Sequence, residues 1–243
     1  MNKKRRFAWY SAANVDGKVR PELPKRENDN WAIDPRIDNP DAPTFQLGEE
    51  LYSGRKTDRG HLTRYLDVAW GPKAQALKAL ADSFHFTNGC LQLSSFNQTQ
   101  ARWQGIEQFL LERKAKKDKM RISVITGPIF KKTDPKYQNP QMAAPVRIPL
   151  EFWKVCALIR EDGTLSATAF ILSQDDITAL PGFEAFLDVS EVQTTIKSVE
   201  QKTGLKFPVL RDNDHLAAGG AAGTLELGGL TVIPIRSFDD IVA

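Results

Sequence analysis

The chain has 243 residues and a net charge of +3, and 41% of its residues are hydrophobic. A chain of this length and composition buries a sizeable core without metal or disulfide staples, which excludes a disordered or disulfide-dependent protein. The small basic excess helps a surface meet polyanions but falls short of the basicity typical of obligate nucleic-acid binders. We interpret residues 1–243 as a single domain.

No apolar run approaches the roughly 18 to 20 residues that a membrane span needs. The basic start, residues 1–6, leads into a mixed stretch and not into an apolar signal segment, so no secretion signal is predicted in this chain. Localisation stays open, because a chain exported by another route or cut from a larger protein reads the same. Cys90 and Cys156 lie in apolar, strand-like contexts that favour buried free thiols over a disulfide, and neither spacing resembles a zinc site.

The first predicted element is a strand within residues 5–15, which ends at the turn signal Asp16-Gly17. The Pro- and Asn-rich stretch 28–44 predicts an irregular segment inside the domain. Apolar residues at helical spacing then predict two amphipathic helices, within GPKAQALKALADSF and ARWQGIEQFLLERKAKK.

The second half of the chain predicts mostly strands. MRISVITGPIF, VRIPLEFWKVCALI and LSATAFILS are rich in Val, Ile, Phe and Trp between Pro or Gly turn signals, which indicates a largely antiparallel sheet. Residues 188–204 predict a helix with Val192, Ile196 and Val199 on one face and Gly204 at its end. Residues 217–229 predict a flexible loop or hairpin. The expected fold class is α+β, a central antiparallel sheet flanked by helices.

The densest set of functional residue types is SGRKTDRGHLTRYLD, residues 53–67, which groups four basic side chains around His61. Imidazole, with an ordinary pKa of about 6.5, can accept a proton from water near neutral pH. Neighbouring arginines suit the negative charge that develops on a phosphate. A solvated turn is the competing interpretation of the same residues, and this stretch alone does not decide between them.

A second set lies within residues 84–110, where Asn88 and Asn97 occupy polar breaks between apolar stretches and Glu107 lies about one helical turn beyond Trp103. Asn97 is expected just before a helix begins. An asparagine in that place is ordinarily an N-cap, and a metal ligand is the alternative.

Taken together, DRGH, then TN-x3-Q, then FNQ leading into Trp103 and Glu107 resemble the DNA/RNA non-specific endonucleases of the ββα-metal, or His-Me finger, superfamily. The likeness covers nearly the whole chain, through SAANVDG, W-x2-DPRI, WGPKAQA, ITGPIF, IP-x3-WKV and EQKTGLKF. It implies an enzyme, a Mg2+-dependent endonuclease that hydrolyses the phosphodiester bonds of DNA and RNA and carries a ββα-metal active-site unit.

The resemblance also implies a role for each matching position. His61 would act as general base, and Asn97 would be the one direct protein ligand of Mg2+, with Mn2+ or another divalent cation as alternatives. Arg59 would steady the phosphate. Asn88 matches the asparagine that supports the site, and Glu107 matches the helical glutamate that orients metal-bound water.

Asp58 of the same motif is expected to anchor the loop. Arg55, Lys56 and Arg64 are predicted to contact the sugar-phosphate backbone, because the chain itself holds them close to His61. For the lysine-rich run 112–121, a solvated helix end is favoured over such a contact.

The sequence departs from the family pattern at one place. The family commonly shows NQ-x2-W-x2-LE, whereas here extra residues separate Asn97 from Trp103, so Glu112 is an alternative position for the helical glutamate. The upstream arginine of the family has two candidates, Arg26 and Arg36.

The arrangement that the resemblance implies is physically consistent. A hard cation with one neutral protein ligand keeps most of its waters, so it can accept a phosphate oxygen and the leaving O3′. His61 would take a proton from a water that attacks in line, leaving 5′-phosphate ends. Little distinction between DNA and RNA is expected, since the backbone and not the base edges would be read.

An inactive nucleic-acid-binding or interaction module on the same scaffold is the alternative, and it would require a missing base or ligand that the sequence does not show. A zinc-dependent hydrolase is disfavoured, because the histidines at 61, 85 and 215 lack an HExxH-like pairing. The expected partners are DNA and RNA substrates, an inhibitor or sensor that restrains such an enzyme in its own cell, and a second copy of the chain. No membrane partner is expected.

Overall fold

The computed structural model describes residues 1–25, 29–37, 46–53, 57–97, 106–107, 119–138, 140–174, 191–219, 225–227 and 230–234. The strands in chain order are β1 (Ser11–Asp16), β2 (Thr57–His61), β3 (Gly89–Leu93), β4 (Arg121–Ile129), β5 (Lys136–Tyr137), β6 (Val146–Arg147), β7 (Glu151–Ile159), β8 (Leu165–Ser173), β9 (Glu191–Thr194), β10 (Leu225–Leu227) and β11 (Leu230–Pro234).

The helices are short. In chain order they are α1 (Glu49–Tyr52), α2 (Lys73–Asp82), α3 (Ser94–Asn97), α4 (Ile196–Thr203), α5 (Pro208–Arg211) and α6 (His215–Gly219), with a 3-10 turn at Phe86–Asn88. No described helix is long and apolar enough to cross a membrane.

Seven strands form the main sheet in the order β1-β4-β7-β8-β9-β11-β10, and β2 with β3 and β5 with β6 form two separate two-stranded sheets. Every strand pair is antiparallel. This confirms the predicted α+β fold class and the three strands predicted in the second half of the chain.

The strands at the middle of the main sheet are buried on both faces, which explains why β7 and β8 read as continuous apolar runs. One core cluster contains Phe152 and Cys156 together with residues of the small β2-β3 hairpin, including Cys90 and Leu91. The other contains Val155 and residues of α4. The sheet is therefore a middle layer with the hairpin on one side and α4 on the other.

The helix predicted over residues 188–204 is wrong in its first part. Val192 lies in β9 and pairs with Ile171 of β8, so it belongs to a strand of the main sheet and not to the predicted helix. The helix begins only after Thr195, whose hydroxyl accepts a hydrogen bond from the Ser198 amide at 3.1 Å. It ends at Gly204, which has a φ of 75° that suits glycine. The predicted helix end is confirmed.

Other predicted elements are confirmed with different boundaries. The first strand begins at Ser11, not near residue 5, and forms an edge of the main sheet. The first amphipathic helix is α2, but Ala76 is its one buried residue and Leu77 is 38% exposed, so the expected apolar face is not covered. Residues 225–234 contain the hairpin strands β10 and β11.

Two predicted segments are described only in part. Of the second amphipathic helix, only Ile106 and Glu107 are described, and both are helical. Of the irregular segment 28–44, residues 29–37 are described, and Ala32 forms an isolated bridge with His85.

Both cysteines are free and buried, as predicted. Burial raises the pKa of the Cys156 thiol to about 12 and that of the Cys90 thiol further still. The two side chains therefore contribute packing to the core and not reactivity.

Candidate functional site

The DRGH motif lies on a strand that pairs with β3. In β2, Thr57 is opposite Leu93 and His61 is opposite Gly89, and α3 follows β3 directly. The chain therefore forms a strand-strand-helix unit at the position predicted for the active site, with residues 62–88, including α2, between its two strands. The polar composition of this strand explains why its sequence reads as a turn.

Gln174, which follows β8, docks this hairpin onto the main sheet. Its side-chain oxygen accepts from the Leu93 amide at 2.8 Å, and its side-chain nitrogen donates to the carbonyl oxygens of Leu91 and Pro149. These hydrogen bonds hold β3 in a fixed position on the main sheet, because Gln174 is buried and both the oxygen and the nitrogen of its side-chain amide are hydrogen-bonded.

The glycine of the motif makes room for a buried glutamine. A Cβ at Gly60 would lie 2.0 Å from Oε1 of Gln92, which is fully buried. Among the described residues, neither amide atom of Gln92 has a hydrogen-bond partner. Packing against Gln92 therefore requires glycine at position 60, and the Gln92 amide is an unsatisfied polar group beside the motif.

Asp58 ties the strand to the helix. Its carboxylate accepts from the Ser94 hydroxyl at 2.8 Å and from Nδ2 of Asn97 at 2.9 Å. Asn97 is the last described residue of α3, which begins at Ser94, and the start of the helix predicted after it lies outside the described residues. The hydrogen bond to Asp58 orients the Asn97 amide and leaves its Oδ1 as the atom that a cation would take.

His61 is partly buried among aromatic rings. The centroid of its ring lies 4.6 Å from that of Trp31, 4.9 Å from that of Phe84 and 6.2 Å from that of Tyr65. These neighbours limit the orientations open to the imidazole. A general base needs such a restriction, because it must accept the proton from a water in one fixed position.

Asn88 holds the chain immediately after His61. Its Oδ1 accepts from the Thr63 amide at 3.0 Å, and its Nδ2 donates to the carbonyl oxygens of Thr63 and Ser83, each at 2.9 Å. Its backbone carbonyl accepts from the Leu62 amide at 2.9 Å. Because its side-chain amide makes these hydrogen bonds, Asn88 holds the backbone around His61 in place and does not present a group to a substrate.

Arg59 lies two residues before His61 and on the same face of β2, since side chains alternate along a strand. Its guanidinium makes an ion pair with the exposed Glu49 of α1 and lies 5.7 Å from the centroid of the Tyr52 ring. An exposed pair of this kind is weak, so a phosphate can replace the carboxylate.

Glu107 lies in a buried charged cluster. Its Oε1 is 3.5 Å from Nζ of Lys154, and its Oε2 is 3.9 Å from Nε of Arg64. Arg64 also donates to the Glu107 backbone oxygen at 3.4 Å. The side chain of Lys154 is 1% exposed and that of Arg64 is 14% exposed, so the cluster is largely shielded from solvent.

Asp67 belongs to the same buried region. Burial raises the pKa of its carboxyl to about 6, while the positive charges of Lys154, Arg64 and Arg20 oppose that rise and the negative charge of Glu107 adds to it. At neutral pH this region therefore holds two carboxylates and several cations, which must compensate each other without bulk water.

Of the remaining predicted residues, only Arg36 is described. Arg55, Lys56, Arg26 and Glu112 lie outside the described residues. Arg36 makes a bidentate pair with Asp34 and lines a cleft of about 440 Å³ beside Asn88.

The other two histidines sit in ordinary hydrogen bonds. Nδ1 of His85 lies 2.7 Å from the Asp82 carbonyl, and Nδ1 of His215 lies 2.6 Å from Nη2 of Arg160. Neither distance involves a residue of the β2-β3 hairpin.

Two residues were not identified from the sequence. Trp31 was noted in the W-x2-DPRI stretch, but its contact with His61 spans 30 residues of chain and follows no local pattern. Lys154 was noted in the WKV run, where a lysine inside an otherwise apolar strand is the signal of a buried, paired charge.

The fit of a divalent cation rests on Asn97. Among the described residues, no group of three or more His, Cys, Asp or Glu side chains could hold a metal ion. A hard cation prefers oxygen, and Asn97 offers one neutral amide oxygen whose direction Asp58 sets. The side chain therefore fits the single-ligand site that the resemblance implies.

Comparisons with known proteins identify the family and the fold of the chain. Residues 1–212 match the family model for DNA/RNA non-specific endonucleases. The uncharacterised protein y4fB of Sinorhizobium fredii is 37% identical over 181 residues, which are 72% of this chain and 26% of that relative. The chain therefore spans about a quarter of the relative's length.

Among solved structures, a crystal structure of the EndoG/EndoGI complex, on the mechanism of EndoG inhibition, has a TM-score of 0.62 at 18% identity and covers 86% of this chain and 81% of its own. At that identity it shows the fold alone. NucA from Streptococcus agalactiae with no metal bound matches at a TM-score of 0.37 and 18% identity, over 68% of each chain.

We predict that Gly89→Ala unfolds more easily than the unsubstituted chain. A Cβ at this position would lie 2.9 Å from Cζ3 of Trp31 and 3.2 Å from the Tyr52 hydroxyl, so the ring that packs on His61 must shift. Overpacking of this kind costs about 1 to 3 kcal/mol, measurable by urea unfolding with tryptophan fluorescence. The control is Gly219→Ala, whose Cβ meets no described atom within 4 Å. Equal stability of the two variants contradicts the contact.

We predict that the free energy of unfolding of Asp67→Asn, relative to that of the unsubstituted chain, increases as the pH rises. The folded pKa of about 6 lies above the unfolded value of 3.8, so the carboxyl favours the folded state at low pH and loses that contribution as pH rises through 6. The difference in free energy of unfolding between variant and unsubstituted chain should increase by about 2 kcal/mol from pH 4 to pH 7. Urea unfolding at both pH values tests this.

The control for that measurement is Asp212→Asn, because its carboxyl is exposed. Because solvent screens an exposed carboxyl, its effect on the free energy of unfolding should change less between pH 4 and pH 7 than that of Asp67→Asn. A flat difference for Asp67→Asn would show that Asp67 is not desolvated in solution.

Proposed function

Because the chain belongs to the DNA/RNA non-specific endonuclease family, we propose that it is a divalent-metal-dependent endonuclease that hydrolyses phosphodiester bonds in DNA and RNA. The observation that carries the proposal is the β2-β3-α3 unit, in which one short strand holds His61 and, through Asp58, orients Asn97. The preferred cation is Mg2+, with Mn2+ as an alternative.

The cation, when bound, supplies Lewis-acid stabilisation of the charge that develops on the phosphate and on the leaving oxygen. Asn97 would hold it through Oδ1, and Asp58 would keep that oxygen in place through its hydrogen bond to Nδ2. Both oxygens of the Asp58 carboxylate accept hydrogen bonds, from Ser94 and Asn97, so we assign Asp58 the role of orienting the ligand and not of binding the cation. One neutral protein ligand would leave most of the positive charge to the substrate.

His61 removes the proton from the attacking water. The ring lies between Trp31 and Phe84, which limits its orientations, and the hydrogen bonds of Asn88 fix the chain that follows it. A base held in one orientation contributes both proton transfer and alignment, which general base catalysis in enzymes requires.

Arg59 contacts the scissile phosphate on the same face of β2 as His61. Binding of the substrate exchanges the exposed ion pair with Glu49 for a charge-assisted pair with phosphate. The contact is to the backbone and not to a base, so it gives affinity without sequence preference. Arg55 and Lys56 are proposed to extend this backbone contact.

A protein inhibitor is a further proposed partner. The matched solved structure is of a complex between EndoG and EndoGI that concerns EndoG inhibition, and the shared fold gives this chain a comparable frame for such a partner. A homodimer remains a prediction from the family resemblance.

The test of the proposed function is digestion of plasmid DNA and single-stranded RNA by the purified chain with Mg2+ or Mn2+, beside His61→Ala and Asn97→Ala. We expect cleavage of both substrates, loss of cleavage with EDTA, and a fall of at least roughly 100-fold for His61→Ala, since general base catalysis contributes that much. Asn97→Ala should need more metal.

The matched control is His85→Ala, because this histidine bonds to a backbone carbonyl outside the hairpin. It should cleave as the unsubstituted chain does. A chain that binds nucleic acid but cuts none of it with any metal would replace the enzyme by an inactive binding module on the same scaffold.

A further inference from the structure

Lys154 is a deeply buried charged side chain that reaches the Glu107 cluster. It lies in the middle of β7, between the buried residues Trp153 and Val155, and is 1% exposed. Burying an ammonium group in such a place costs free energy. An apolar side chain of similar size would pack there without that cost. A position of this kind calls for a role other than packing.

The partner of Lys154 is the glutamate that the family resemblance assigns to the site. Lys154 Nζ approaches one carboxylate oxygen of Glu107 at 3.5 Å, and Arg64 Nε approaches the other at 3.9 Å. Both distances are too long for direct hydrogen bonds but close enough for strong attraction in a buried region. The carboxylate is therefore held by charge on two sides.

The lone pairs of Glu107 are not used up by these contacts. Its Oε1 is buried and has no hydrogen-bond partner among the described residues. Because Oε1 is shielded from solvent, any water that this carboxylate orients is bound through Oε2, which Arg64 approaches without a direct hydrogen bond. This is the state that a glutamate needs if it is to orient water around a neighbouring cation.

Arg64 connects this cluster to the general base. It lies three residues after His61, in the segment whose Thr63 is clamped by Asn88, and its guanidinium also donates to the Glu107 backbone. With 14% of its side chain exposed and turned toward Glu107, Arg64 is placed for this contact and not for the nucleic-acid backbone contact expected from the sequence.

We propose that Lys154 and Arg64 are positioning residues that hold the Glu107 carboxylate toward the cation site from β7 and from the segment after His61. The inference rests on the proposed function and adds two residues to it. Both act through Glu107, so neither touches substrate or the reacting atoms. Their loss matters only while the carboxylate of Glu107 is present.

The first test is a double-mutant cycle of Lys154→Met and Glu107→Gln on the cleavage of a short oligonucleotide. Lys154→Met should lower kcat by roughly 10- to 100-fold, the usual effect of removing a group that orients a metal site, and leave KM unchanged. In the Glu107→Gln background the same substitution should change kcat by less than roughly twofold. Equal losses in both backgrounds, or a change confined to KM, would overturn the proposal.

The second test reads metal binding without catalysis. Mn2+ affinity is measured by titration calorimetry in the His61→Ala chain, with and without Lys154→Met and Glu107→Gln. Each substitution alone should weaken Mn2+ binding by roughly tenfold, and the two together should weaken it no more than one. Unchanged Mn2+ affinity in Lys154→Met would contradict a role toward the cation site.

Lys202→Met is the matched control, because Lys202 makes a 3.2 Å ion pair with Glu151 and contacts no member of the cluster. It should leave kcat and Mn2+ affinity unchanged. If Lys154→Met does not fold, Arg64→Gln takes its place in both cycles, since this side chain lies outside the sheet and is partly exposed. Additive effects of Arg64→Gln and Glu107→Gln would then overturn the proposal.

Failure of the inference and failure of the proposed function give different results. If the unsubstituted chain cuts nothing, the proposed function fails, while the calorimetric cycle still reads the coupling of Lys154 to Glu107. If the chain cuts and His61→Ala does not, but Glu107→Gln cuts as well as the unsubstituted chain, the nuclease stands and the positioning role is overturned.

Discussion

The hydrogen bonds of the Asp58 carboxylate to Ser94 and Asn97 are the constraint on which the site depends. They join β2 to α3, whose Phe96 is fully buried in the core, and they decide which atom of the Asn97 amide faces outward. The packing of Phe96 holds the helix but not the side-chain amide of Asn97, so the hydrogen bond to Asp58 sets the direction of that amide. The proposed metal ligand is thus ordered by its neighbour on β2.

Support for the site comes in successive layers from the main sheet. Gln174 fastens the hairpin to the sheet through backbone hydrogen bonds, and Lys154 reaches from β7 toward Glu107. Each of these is a buried polar side chain in an otherwise apolar region, and each has partners that offset its desolvation. The core therefore serves two purposes, stability through its apolar residues and orientation of the site through a few polar ones.

Much of the fold was predictable because the long apolar strands β4, β7 and β8 carry a strong local signal, and the DRGH and FNQ motifs indicated the ββα unit. What could not be predicted depends on contacts between distant segments. The strand at Glu191–Thr194 was taken for helix, because only its place between β8 and β11 makes it a strand. The packing of Trp31 on His61 and the pairing of Lys154 with Glu107 likewise follow from tertiary structure alone.

The most direct test of the account is the position of a bound cation. Crystals of the His61→Ala chain soaked in Mn2+ should give one anomalous peak in the hairpin region, roughly 2.1 Å from Asn97 Oδ1, with water as the other ligands and with Asp58 still bonded to the asparagine nitrogen. A peak bound directly to the Asp58 carboxylate, or one centred away from Asn97, would contradict the assignment of Asn97 as ligand and Asp58 as its clamp.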